Sequence, residues 1–151
     1  MTIEEIITPE VKARIEHAIA KAEAGTSCEL RVHLENKCSE DALDRASFIF
    51  AELEMHRTRL RNGVLIFLAL EDRKVAIVGD AGINENMEHN SWEVIKNKMI
   101  SHFRDERIEE GIIEGLDLVG EKIKQFFPIK SDDRNELPNY ITTGDIKKRD
   151  D

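Results

Sequence analysis

The chain has 151 residues, a formal charge of −9, 35% charged and 40% apolar residues. That composition fits one globular domain with a sizeable core and is too acidic for a protein that binds nucleic acid through its phosphates. No apolar run approaches the roughly 20 residues that span a bilayer, and Met1–Ile6 has neither a basic start nor an apolar signal core. The expectation is therefore a cytoplasmic protein without direct membrane insertion. The two cysteines, Cys28 and Cys38, form no CxxC pair and read as reduced thiols, although spacing alone leaves a disulfide open.

Thr8-Pro9-Glu10 combines an N-cap, a first-turn proline and an acid at the positive end of a helix dipole. Val11, Ile15, Ala18, Ile19 and Ala22 give that helix one apolar stripe, and Gly25 ends it. Cys28, Leu30, Val32 and Leu34 then alternate with Glu29, Arg31, His33 and Glu35, the period of a strand with one apolar face. Its polar face suits either a cleft or a solvated edge. Ser39 is placed to cap a second helix with the stripe Ala42, Ala46, Ile49, Phe50 and Leu53. If that helix continues, Glu52 and His56 form a surface pair one turn apart.

The stretch Val64–Leu70 is apolar without alternation, as in a strand buried on both faces, and Val75–Gly79 is similar. The connector Glu71-Asp72-Arg73 is short enough for a hairpin. Pairing residue 70 with 74 sets Asp80 across from Val64 and gathers Asn62, Gly63, Ala81 and Gly82 at one end. A third helix starts at Asn90 or Ser91 with Trp92, Ile95, Met99 and Phe103 on one side. After the break Arg104-Asp105-Glu106, a fourth carries Ile108, Ile112, Leu116, Val119 and Ile123, and Pro128 stops it. Gly111 and Gly115 mark a close helix approach. Tyr140–Thr143 is a short candidate edge strand, and residues 145–151 read as a disordered tail beyond a single domain at 1–144. The order implies an α/β fold, a small mixed sheet between helical layers with strand 64–70 at its centre.

HExxH, GxxxxGK[ST], GxSxG and CxxC are all absent, and the five histidines lack metal-ligand spacing. The candidate site is the hairpin's polar end. Asp80, between glycines, suits either a hard oxygen ligand for calcium or magnesium or a cap for its own turn. Glu29, Asn62 and Asp105 are the other oxygens expected to reach it. His56-Arg57-Thr58-Arg59-Leu60-Arg61 is a basic cluster in an acidic chain. Arg61, nearest the sheet, is the candidate anion-binding residue; solvation of a helix-to-strand connection is the plainer account of the cluster.

Thr58…Arg61-Asn62-Gly63-Val64-Leu65-Ile66 followed by Gly79-Asp80…Gly82-Ile83 resembles the TPM domain family. Trp92, Phe103-Arg104…Glu110-Gly111-Ile112, Phe127-Pro128 and Asp132-Asp133…Asn135-Glu136-Leu137-Pro138 resemble its short bacterial branch. The resemblance runs from about Pro9 to Gly144. It implies a three-layer α/β/α sandwich with a mixed sheet. Plant and cyanobacterial relatives are linked to photosystem II repair in thylakoids, and a plant member is associated with acid phosphatase activity and bound calcium. The resemblance thus implies a divalent cation, calcium first, on a carboxylate-lined site. A phosphate-monoester hydrolase and a protein-interaction module are its other implications. Many relatives carry a signal peptide, a membrane anchor or Gly-rich tails, none of which this sequence shows. No catalytic set carries over residue by residue.

Overall fold

The computed structural model describes residues 2–88, 90–129, 141–144 and 146. The expectations for His89, for residues 130–140 and for most of the tail lie outside them. In chain order the elements are α1 (Ile3–Ile6), α2 (Pro9–Glu23), β1 (Glu29–Glu35), α3 (Ala42–Glu52), a 3₁₀ turn (Met55–Arg57) and β2 (Gly63–Ala69). There follow β3 (Lys74–Gly79), α4 (Ala81–Asn84), α5 (Ser91–Arg104), α6 (Ile108–Phe126) and β4 (Ile141–Thr143).

The four strands form one mixed sheet in the order β3-β2-β1-β4. β1 runs parallel to both β2 and β4, and the β2–β3 hairpin is antiparallel. β2, the most apolar strand, is fully buried along its length, as its unbroken Val64–Ala69 run demands. α3 packs over β2 and β3 on one face, while α2 packs against β1 and α5 against β3, each joined to α6, on the other. Two cores result. The larger holds Leu30, Val32, Leu34, Val64, Ile66 and Leu68 beneath α2, α5 and α6. The smaller holds Leu65, Phe67, Ala69 and Ala76 beneath Ala46, Ile49 and Phe50 of α3. This is the three-layer α/β/α sandwich.

The hairpin register is one residue off the expected one. Ala69 pairs with Lys74 and Val64 with Gly79, so Asp80 stands opposite Gly63 rather than Val64. Leu70 leaves the ladder because its N–H bonds to Glu35 O of β1 (2.9 Å), and Arg73 closes the turn at φ 53°. β1 is a second departure. It is an interior strand, every residue buried, so its polar face is not a solvated edge. α3 is capped by Asp41, which accepts from Asp44 N, and not by Ser39. It stops at Glu52 because Glu54 turns left-handed at φ 56°, so Glu52 and His56 form no helical pair.

Gly111 and Gly115 bring α6 against α5. A Cβ at Gly111 would meet the Phe103 ring, and one at Gly115 the Met99 side chain. Cys28 and Cys38 are in no disulfide and are both buried, in different cores and beyond opposite ends of β1, which rules out a bridge between them. No helix among the described residues is long and apolar enough to cross a membrane.

Candidate functional site at the amino end of the parallel strands

The hairpin folds its polar flanks into a tight corner. Asp80 ends β3 and caps α4, its carboxylate accepting from Ala81 N (2.8 Å). Gly82 N donates to Arg61 O (2.9 Å), and Gly82 sits so close to that loop that a Cβ would lie 2.8 Å from Arg61 O. Arg61 itself is left-handed at φ 52°, uncommon for a residue other than glycine. From that position its guanidinium lies fork-on on Asp80, Nε to Oδ2 at 2.7 Å and Nη2 to Oδ1 at 2.6 Å. Asp80 is buried, but the Arg61 side chain is 52% exposed.

These contacts set the charges. Burial pushes the Asp80 carboxyl up, but the Arg61 bonds, the Ala81 N–H and the nearby charge of His56 outweigh it and hold it below the usual carboxylate range. The same bond raises Arg61. Asp80 therefore does act as the cap of its own turn, and it also carries an ion pair that linear reading had treated as two separate sites. The preceding loop keeps His56, Arg57, Arg59 and Arg61 at the surface while Met55, Thr58 and Asn62 point inward.

The remaining candidates divide. Asn62 and Glu29 are at this end: Glu29 N donates to Asn62 O (3.2 Å), and the Asn62 amide is turned inward onto Ser27 O. Both are buried. Asp105 is at the far end, capping α5, and its neighbour Glu106 reaches Arg73 of the β2–β3 turn at 3.8 Å. α5 begins at the Asp80 end and runs back along the sheet, which carries its last turn away from the corner. Among the described residues no group of three or more His, Cys, Asp or Glu converges to hold a metal. Calcium takes six to eight oxygens. Both Asp80 oxygens are engaged by Arg61 and Ala81 N, so the ion-paired corner presents no open carboxylate at Asp80 to a calcium ion while Arg61 stays in place.

A second polar constellation, unsuspected from sequence, lies at the opposite end of β1. Glu35 accepts from Arg45 Nε (2.9 Å) and Nη2 (2.7 Å) and contacts His33 Nε2 (3.2 Å). His33 Nδ1 lies 2.7 Å from Thr142 Oγ1 of β4, and its ring lies nearly parallel to Phe67. Arg45 also donates to Ile146 O (2.7 Å). Burial lowers the His33 pKa against the opposing pull of Glu35. Burial raises Glu35, but Arg45 and His33 together hold it below its ordinary value. Every one of these groups is satisfied within the fold, the pattern of a structural network. The signal for it was present in the alternation Glu29, Arg31, His33, Glu35, once β1 is known to be interior.

The profile of the TPM domain matches residues 2–122, most of the chain. The chain belongs to the TPM domain family. Among solved structures, it is similar to the BA42 protein of the psychrophilic bacterium Bizionia argentinensis, at 40% identity and TM-score 0.86, with 95% of this chain and 99% of that one covered. At 20% identity and TM-score 0.64 it shares its fold with the N-terminal domain of a P. gingivalis protein, covering 78% of this chain and 76% of that one. A third likeness, of fold alone, is to the N-terminal domain of the cg2496 protein of Corynebacterium glutamicum, at 13% identity, TM-score 0.61, covering 96% and 84%. No curated protein matches. The TPM domain's Arg61-Asn62-Gly63 and Gly79-Asp80 segments, which carried the resemblance, are thus the two halves of the ion-paired corner.

Proposed function

We propose that this TPM domain is a binding module whose Arg61 receives an anionic group, best a phosphoryl group, of a ligand or protein partner. The supporting observation is the half-exposed Arg61 fork lying on Asp80 at the end of a surface loop that also carries His56, Arg57 and Arg59. A guanidinium fork matches carboxylate and phosphate alike. In the ligand-free protein Asp80 stands where the ligand's anion would lie. Titration with inorganic phosphate, followed by amide NMR, tests this. Shifts should concentrate in residues 56–63 and 79–84, and Arg61→Gln should weaken binding about tenfold or more. Shifts elsewhere, or an affinity indifferent to Arg61, would sink the proposal.

Divalent-cation binding at Asp80 is the second reading, favoured by a carboxylate held below its ordinary pKa. It requires Arg61 to withdraw, so calcium affinity should rise in Arg61→Gln, the opposite of the effect on phosphate. Calcium shifts that are absent in both proteins would remove it. Hydrolysis of a bound phosphomonoester is a further step and needs a base beside the phosphoryl group. His56, on the same loop, is the residue to replace in a turnover assay run with and without chelator. Two buried, unbridged thiols suit a reducing compartment and so support a cytoplasmic location.

A further inference from the structure

We propose a second binding site, in the cleft between α5 and α6, for a small monocarboxylic acid with an apolar body. The two helices are drawn together at one end by Gly111 and Gly115, which receive Phe103 and Met99. Toward the other end the next small residue, Gly120, packs instead on Ala22 of α2. With nothing small facing α5 there, the helices leave a cavity of about 380 Å³, within the range of small-molecule sites. Its apolar lining is Val94, Ile95 and Leu118.

Ser91 lines this cavity from the first turn of α5. It is 5% exposed, and its Oγ has no hydrogen-bond partner among the described residues. Buried hydroxyls in native proteins are nearly always satisfied, so an orphan beside a cavity marks a missing partner. α5 spans 14 residues, and the side chain of its N-cap Asn90 makes no capping bond, so the positive end of the dipole is left without a side-chain acceptor.

The charges select the ligand. Lys98 and Lys122 line the cavity from the two helices, and neither has an ion-pair partner among the described residues. Glu88 and Glu121 line it too. Two ammonium groups and two carboxylates cancel, and Glu93 of the first turn of α5 is paired with Lys96 (3.3 Å), so the helix end adds only about half a positive charge. That balance accepts one negative charge and disfavours a doubly charged phosphate. The carboxylate would lie over Ser91 and the α5 terminus, with its chain on Val94, Ile95 and Leu118. This site lies in the helical layer and uses none of the residues of the Arg61 corner.

Octanoate is a suitable probe, with octanol and inorganic phosphate as controls, each titrated into the full chain under amide NMR. Saturable octanoate shifts confined to residues 91–98 and 118–125 are expected, with octanol at least about threefold weaker and no phosphate shifts there. Lys122→Gln, at a half-buried position, should weaken octanoate by a similar factor. Ser91→Ala should weaken it as well while folding at least as stably as wild type, since the variant loses an unsatisfied hydroxyl. Octanol binding as tightly as octanoate, unsaturable or scattered shifts, or indifference to both substitutions would each overturn the assignment.

Discussion

Replacing Arg45 by Met leaves the Glu35 carboxylate, 1% exposed, without the cation that compensates it. The methionine keeps most of the aliphatic stem, so the change removes the two bonds to Glu35 (2.9 and 2.7 Å) and the one to Ile146 O rather than packing. Stranding one partner of a buried ion pair costs about 3–5 kcal/mol, a large share of the 5–15 kcal/mol that holds an ordinary domain together. The loss has a sign in pH. In the wild type Glu35 sits below its ordinary pKa, so its stabilising contribution is present above the unfolded value of about 4.3 and disappears as pH falls through the folded value. In Arg45→Met burial acts with only His33 against it and raises Glu35, which turns that contribution into a penalty that grows as pH rises. Urea unfolding at pH 4, 5.5 and 7.5 should therefore show a deficit that widens toward neutral pH. Glu35→Gln combined with Arg45→Met should recover much of it, since no buried charge remains. A deficit under about 1 kcal/mol, or one that widens toward acid, would refute the reasoning.

Phe67 is fully buried beneath α3, and Phe67→Ala should cost about 3–5 kcal/mol in urea unfolding. Gly82→Ala drives a Cβ into the Leu60 and Arg61 carbonyls and should cost about 1–3 kcal/mol, with amide shifts centred on residues 60–63. Both thiols are buried, and burial pushes the Cys38 thiol up, so a thiol reagent at pH 7.5 should react with neither until denaturant is added. Fast labelling of the native protein would contradict their placement.

Periodicity made most of this architecture legible. The Thr8-Pro9 start, the stripes of α2, α5 and α6 and the unbroken β2 run each depend on nearest neighbours along the chain, and each element lies where its pattern puts it. The short helices α1 and α4 were invisible because four residues give no period. The misread face of β1 has a different cause. Glu29, Arg31, His33 and Glu35 look solvated in sequence, and only the tertiary arrangement, with β4 on the outer edge and Arg45 arriving from α3, lets an interior strand hold them. At the candidate site, turn chemistry and strand pairing brought Asp80, Arg61, Asn62 and Glu29 to one end of the sheet. Asp105 was misplaced because its position depends on the direction of α5, which no local pattern encodes. That Arg61 and Asp80 neutralise each other, rather than forming separate anion and cation sites, depends on a left-handed residue and a one-residue register, both below what spacing resolves.

The central claim is that Asp80 occupies the place of an incoming anion on Arg61. Its most direct test is the affinity of inorganic phosphate for Asp80→Asn against wild type. Asparagine keeps the cap on α4 and removes the competing charge. The variant should bind phosphate about tenfold more tightly, with the same residues 56–63 shifting. Equal or weaker binding by a folded Asp80→Asn protein would contradict the account.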